Sequence, residues 1–241
     1  MRMHNKKRIT VYFVQIITIL LVAILTSCAS EEPVRIKGWN EYTGSEKQNF
    51  ILKVRAIQET TSSYAFQRSQ KLSLKSSDII RESEPIYIHK NEIPQMSNRI
   101  EVITDKIEAT MRELSSDVQN TYLHLILREQ LNSDTFQIYI SDGSLVDYTL
   151  SKYQSTIKSA IRTSLDKLYN DKDIYSEWDG IFSTYNEWRA SIDNIKDISN
   201  LSQLEVQKDI SLLDVTTELF YAKWKTELSI GEDIAKIQAE M

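Results

Sequence analysis

Beyond residue 44 apolar residues recur at spacings of three and four, the period of α-helices that each bury one face. Ser45-Glu46-Lys47-Gln48 reads as a capping box, in which Ser45 accepts from an amide of the first turn and Gln48 reaches back. It predicts a first helix with Phe50, Val54, Ile57, Thr61, Tyr64 and Ala65 on one side. Thr60-Thr61-Ser62-Ser63 has low helix propensity and predicts a bend or fraying within it. Residues 77–82 are helical as well, either as a continuation or as a separate piece. Glu84-Pro85-Ile86-Tyr87-Ile88-His89 reads as an extended crossing, since Pro85 disfavours helical geometry at Glu84. A second helix follows Ile93-Pro94 with Ser97 as its cap. Its stripe of Ile100, Ile103, Ile107, Met111, Leu114, Val118, Tyr122 and Leu125 runs to about Leu131, and Asn132-Ser133-Asp134 ends it. Glu108 and Arg112 pair on its wet side.

Residues 134–144 fit two patterns. Phe136, Ile138 and Ile140 alternate before Ser141-Asp142-Gly143 as a hairpin would, while Asp134-Thr135-Phe136-Gln137 reads as a helix start. Val146, Leu150, Tyr153, Ile157, Ile161, Leu165 and Leu168 belong to a third helix over residues 144–169, which favours a short turn or helical piece before it. After Asn170-Asp171-Lys172-Asp173 comes a fourth helix. Its Ile174, Trp178, Ile181, Tyr185, Trp188, Ile192 and Ile195 alternate spacings of four and three, the seam of coiled-coil packing. Residues 197–200 form a turn, and the last helix runs from about residue 201 to the end. Val206, Ile210, Leu213, Thr217, Phe220 and Trp224 share one face of it, and Glu232 pairs with Lys236 across one turn. Connections of a few residues predict antiparallel neighbours. The expected fold is all-α, an elongated up-and-down bundle of about four to five helices with coiled-coil-like seams.

The first thirty residues follow another pattern. Arg2, Lys6, Lys7 and Arg8 precede an apolar run over residues 9–25, which ends in Leu25-Thr26-Ser27-Cys28. A positive head, an apolar middle and small residues at a cut site make a secretory signal peptide. The last four residues resemble the lipobox of bacterial lipoproteins. That resemblance implies acylation of Cys28, removal of residues 1–27, a tether over residues 28–44 and a helical domain over residues 45–241. Two other readings use the same residues: an uncleaved membrane anchor, with residues 9–27 close to the length of a span, or release by ordinary signal peptidase. By the sorting habit of the lipoprotein class, Ala29 after the cysteine implies the outer membrane. Glu31-Glu32 resembles the surface-export signals of some members.

Composition narrows the function classes. The 29 Lys and Arg against 34 Asp and Glu give a net charge of −5. Four of the basic residues lie in the leader, so the rest is more acidic still, which argues against a nucleic-acid surface. Gly (5) and Pro (3) are scarce, as long helices require and turn-rich β-folds do not. Cys28 is the single cysteine, so a disulfide framework and a zinc-thiolate site are excluded.

The search for chemistry returns little. His89 and His124, the histidines beyond the leader, follow Ile86 and Thr121 at the position where a di-iron bundle places Glu. No helical zinc motif, nucleophile elbow or phosphate loop is present. Trp178, Tyr185 and Trp188 share a face and read as core rather than as a glycan- or peptide-binding groove. Trp39, in the tether, is placed to dock on the domain or to touch a membrane interface. The sequence therefore predicts a lipid-anchored cell-envelope protein that acts by protein–protein contact. No cofactor, metal, nucleic-acid partner or catalytic residue is expected. Alternatives are a helical carrier of an apolar ligand and, behind it, an envelope hydrolase.

Overall fold

The computed structural model describes residues 37–193 and 210–240. Cys28, the leader, Ile195, the turn at 197–200, Val206 and the predicted start of the last helix lie outside the described residues. The chain divides into two compact units, Met1–Thr43 and Gly44–Met241. The described part of the first is a 3-10 turn, Trp39–Glu41, where the Glu41 carboxylate accepts from the Gly38 amide at 2.9 Å.

The second unit is helical and, among its described residues, holds no strand. Its helices are α1 (Gly44–Ser69), α2 (Ser76–Ile79), α3 (Pro85–Ile88), α4 (Met96–Arg128), α5 (Ser133–Ile140), α6 (Leu145–Asp171), α7 (Ile174–Asp193) and α8 (Ile210–Glu240). Eight among the described residues exceed the four to five expected. The surplus is α2, α3 and α5, which are too short to show a helical period.

Helix α1 packs against α4 and α8, and α6 also packs against α4 and α8, so these four close a cycle of contacts; α7 packs on α4. Cross-helix bonds give the directions. Gln70 reaches Ser115 at 3.0 Å while Arg55 reaches the carbonyls of Ile126 and Glu129, so α1 and α4 are antiparallel. Lys152–Glu129 and Lys172–Glu113 make α4 and α6 antiparallel. Lys158–Glu218 and Lys225–Asp147 do the same for α6 and α8.

Helix α7 departs from the expectation of antiparallel neighbours. Lys106 pairs with Glu177, and Arg99 lies beside Gly180, so α7 runs against α4 and therefore in the same sense as α6. The short link redirects the chain without reversing it, through Asp173 at φ 57°. Aspartate tolerates this left-handed conformation better than most residues.

The apolar stripes become one core. Ile100, Ile103, Ile107, Met111, Leu114, Val118 and Tyr122 of α4 are buried, and Ile126 continues the row that the sequence assigned to Leu125. Val146, Leu150, Ile157, Ile161 and Leu165 of α6, and Trp178, Ile181 and Tyr185 of α7, belong to the same cluster.

Four local expectations are corrected. Helix α1 runs unbroken through Thr60-Thr61-Ser62-Ser63. Thr61 and Ser62 are buried, and α8 crosses close by at Gly231, so packing outweighs local propensity. The segment at Pro85 is a helical turn. Glu84 is extended (φ −73°, ψ 140°) as Pro85 requires, but proline at the first helical position starts a helix rather than preventing one. Helix α4 opens at Met96 after left-handed Gln95 and ends at Arg128; Ser97 is not its cap, and Asn132 instead caps α5 by accepting from Asp134 N and Thr135 N. Glu108 and Arg112 do pair, but not as a purely solvated couple. Glu108 accepts from Leu74 N at 2.7 Å and Arg112 donates to Leu72 O at 2.8 Å, so together they grip the loop after α1.

Two glycines should respond with opposite signs. A Cβ on Gly231 would lie 3.0 Å from the Thr61 carbonyl oxygen and 3.1 Å from Tyr64 Cβ. Gly231→Val is expected to lower unfolding stability by about 2–3 kcal/mol. A Cβ on Gly180 would meet only Arg99 Nη1 at 3.5 Å, so Gly180→Ala should raise stability by about 0.5–1 kcal/mol. Urea unfolding midpoints of the two variants check the pair; equal signs would contradict the packing described.

Candidate functional site

Four helix ends meet where α4 finishes and α6 begins. The first amides of α6 have no carbonyl one turn back to receive them. Ser144 accepts from Asp147 N at 3.0 Å as the local cap. The other partner comes from α8: Glu232 accepts from Leu145 N at 2.6 Å, Val146 N at 3.1 Å and the Ser144 hydroxyl at 2.7 Å. Glu232 is 2% exposed, and its charge sits at the positive end of the α6 dipole. Lys236 lies 3.6 Å from the same carboxylate and donates to Asp142 Oδ1 at 3.2 Å and Gly143 O at 3.0 Å. One turn of α8 thus holds the whole α5–α6 connection. A cleft of about 450 Å³ opens here, lined by Asp142, Ser144, Asp147, Glu232, Asp233 and Lys236 among others.

The complementary cap is on the far side of the same end. Arg55 of α1 donates to the carbonyls of Ile126, in the last turn of α4, and of Glu129, just beyond it, and to Gln58 Oε1 at 3.1 Å. A cation at a helix C-terminus is favoured for the same reason as an anion at the N-terminus. Burial nonetheless draws the guanidinium pKa below its usual value, with the charges of Glu129 and Glu59 opposing. Between the two caps lies Tyr122, 1% exposed and edge-on to Trp224 at 5.3 Å. Its phenol pKa is raised, first by burial and then by the charge of Glu232, with a hydrogen bond to Thr149 opposing.

The chemistry this arrangement offers is structural. Both Glu232 oxygens are engaged by amides and a hydroxyl, and Asp147 pairs with Lys225 at 3.2 Å. Among the described residues no group of three or more His, Cys, Asp or Glu is placed to hold a metal ion. The residues singled out from sequence do not converge here. His89 lies 3.2 Å from Glu92 and stacks at 5.3 Å on Trp188, near α7, while His124 is exposed. Trp178 and Tyr185 are interior and Trp188 half-buried, and Trp224 is core. Cys28 lies outside the described residues.

Sequence reasoning placed Glu232 in an i, i+4 pair with Lys236 and assigned it no other partner. The pair exists, but the missed signal was position: Glu232 falls four residues after buried Leu228 and three before buried Ala235, on the apolar stripe itself. A carboxylate there needs a partner inside the fold. No family model, no curated protein and no solved structure matches the chain.

Glu232→Ala should cost about 3 kcal/mol, because two buried amides lose their acceptor. Glu232→Gln, which keeps one acceptor oxygen, should cost about half that. Urea unfolding of both variants beside Glu227→Ala measures this; losses no larger than the Glu227 control would refute the cap.

The tyrosines give a pH dependence. Tyr122 and Tyr169 have folded pKa values raised above the ordinary 10.0, mainly by burial. A group raised on folding contributes in full below its unfolded pKa and loses that contribution as pH rises toward the folded one. Stability should therefore fall progressively above pH 10. Absorbance at 295 nm should show these phenols ionising only with unfolding; early titration of all twelve tyrosines in the folded chain would contradict it.

Proposed function

We propose that the chain is a lipid-anchored protein of the cell envelope, held at the outer membrane through acyl chains on Cys28, whose helical domain acts by contact with another protein. The leader carries this reading: a basic head, an apolar run and Leu25-Thr26-Ser27-Cys28, with Cys28 the single thiol of the chain. Residues 1–27 are the removed leader, 28–44 the tether and 45–241 the binding domain. Multiple acyl chains anchor firmly, at about 0.8 kcal/mol for each buried CH₂. No described helix is long and apolar enough to cross a membrane, and in this reading attachment belongs to the cysteine.

The domain is read as an elongated bundle whose principal members are α1, α4, α6, α7 and α8, with coiled-coil-like seams between them. Ion pairs from α4, α6 and α8 to their neighbours, and the two caps at one end, support a stiff body suited to presenting a surface. Its partner is a protein of the envelope or of the surroundings the protein faces.

Labelled palmitate should enter the wild-type chain in growing bacterial cells and not Cys28→Ala, which should keep the electrophoretic mobility of the unprocessed precursor. Equal labelling of both would defeat the reading.

A further inference from the structure

The outward face of α8 is apolar where the outward faces of α4 and α6 are polar. Val215 (40%), Ile230 (41%) and Ile237 (60%) are exposed. Half-buried Leu219 and exposed Ala222 and Thr226 lie in the same row. The spacings of three, four and seven keep these residues on one side of the helix, opposite the core residues Phe220, Trp224 and Leu228. Exposed apolar residues that stand singly are ordinary; a contiguous row of them marks an interaction surface. On α4, Val102 and Leu127 are also exposed and share a face, but Glu113, Asn120 and His124 lie exposed between them. On α6 no large apolar side chain is exposed.

The row is complementary to itself when run in the opposite direction. About a two-fold axis through Thr226, Ala222 faces Ile230 of a second copy and Ile230 faces Ala222, so a small side chain meets a large one at both steps. Val215 and Ile237 meet at the two ends. Such reciprocity is what a two-fold interface demands. The Thr226 hydroxyl is returned to its own helix, donating to Ala222 O at 3.0 Å, and needs no partner on the axis. Asp233 falls opposite Leu219, two turns from the axis, where crossing helices have begun to part and a carboxylate stays in water. The flanks match in charge. Lys223 comes beside Glu227 of the second copy on one flank, joining the pair Glu227 makes with Arg68. Glu218 comes beside Lys236 on the other. A parallel pair would instead set Asp233 against Asp233, which like charge disfavours.

We infer that the outward face of α8 is a dimerisation surface, and that its partner is a second copy of this chain packed antiparallel across Thr226. A single helix pair covers less than the roughly 800 Å² per partner of a standard interface, so the dimer is reversible rather than permanent. This goes beyond contact with another protein by naming the occupant of one face. It is independent of the lipid anchor, because it rests on α8 alone.

The test is disulfide crosslinking of the full chain in neutral-detergent micelles, with Cys28→Ala so that the introduced thiol is the single one. Helix axes about 8–10 Å apart, with Cα atoms about 2.3 Å from each axis, place the two Thr226 Cα atoms within disulfide range. Thr226→Cys should therefore link to itself at least fivefold more than Asn120→Cys, an exposed position on α4. Ala222→Cys and Ile230→Cys, each about 12 Å from its own copy along the axis, should link to one another in a mixture and little when alone. Adding Ile230→Asp to Thr226→Cys should cut the linked fraction at least fivefold. Three results overturn the proposal: linking at Asn120 equal to that at Thr226, which shared micelles would give; self-linking of Ile230→Cys equal to that of Thr226→Cys, which a parallel pair would give; and a linked fraction unchanged by Ile230→Asp.

Discussion

The carboxylate of Glu232 at the start of α6 is the contact on which the arrangement of the long helices depends. Taken alone, a buried carboxylate opposes folding by several kcal/mol. Here it meets two backbone amides and a hydroxyl whose own alternatives inside the fold are poor, so each side removes the cost of burying the other. The residues joined are 86 to 88 positions apart. Arg55 plays the opposite part at the end of α4, 71 to 74 positions away. Anion at a helix start and cation at a helix end, both at the same end of the helix set, tie α1 to α4 and α8 to α6.

These caps supply what apolar stripes lack. A stripe of Ile and Leu packs nearly as well after sliding one turn, about 5.4 Å, along its neighbour. A slide of that size would strand Glu232 and leave the α6 amides without acceptors, so it is penalised heavily. The ion pairs along α6, from Lys152 to Glu129 and from Lys158 to Glu218, reinforce the same register. The Lys158–Glu218 pair contributes little by itself, since Glu218 faces water, while Glu129 of the other pair is largely covered. Their effect is on alignment, while the core provides most of the stability.

That division explains which features were legible in the sequence. The long helices announced themselves because burial of one face imposes a period, and α4 shows it over seven successive buried positions from Ile100 to Tyr122. The short helices have too few residues for a period and exist through their neighbours: Phe136 of α5 meets Phe50 of α1 edge-on at 5.3 Å, and Ile86 of α3 is buried in the core. Low propensity at Thr61 and Ser62 misled for the converse reason: both are buried, and Gly231 of α8 lies against the Thr61 carbonyl oxygen and Tyr64, so packing outweighs local propensity. Glu232 and Glu108 were each read as members of i, i+4 pairs, Glu108 on the solvated side, and both pairs form. What the local spacing could not show is that the second partner of each is a backbone amide supplied from far along the chain.

The same logic applies to the direction of α7. A short link ordinarily returns the chain antiparallel to the helix before it, yet α7 continues the sense of α6. Helix α4 is the reason. At 33 residues it outruns α6, which ends opposite Glu113, and its N-terminal part from Arg99 to Lys106 would face water if the chain reversed there. Carrying α7 onward lays Trp178, Ile181 and Tyr185 against that exposed length of the Ile100–Ile107 stripe. The apolar face of α7 is therefore matched chiefly to α4, not to the helix that precedes it. Where one helix is much longer than its neighbours, unburied apolar length decides the path, and loop length alone does not.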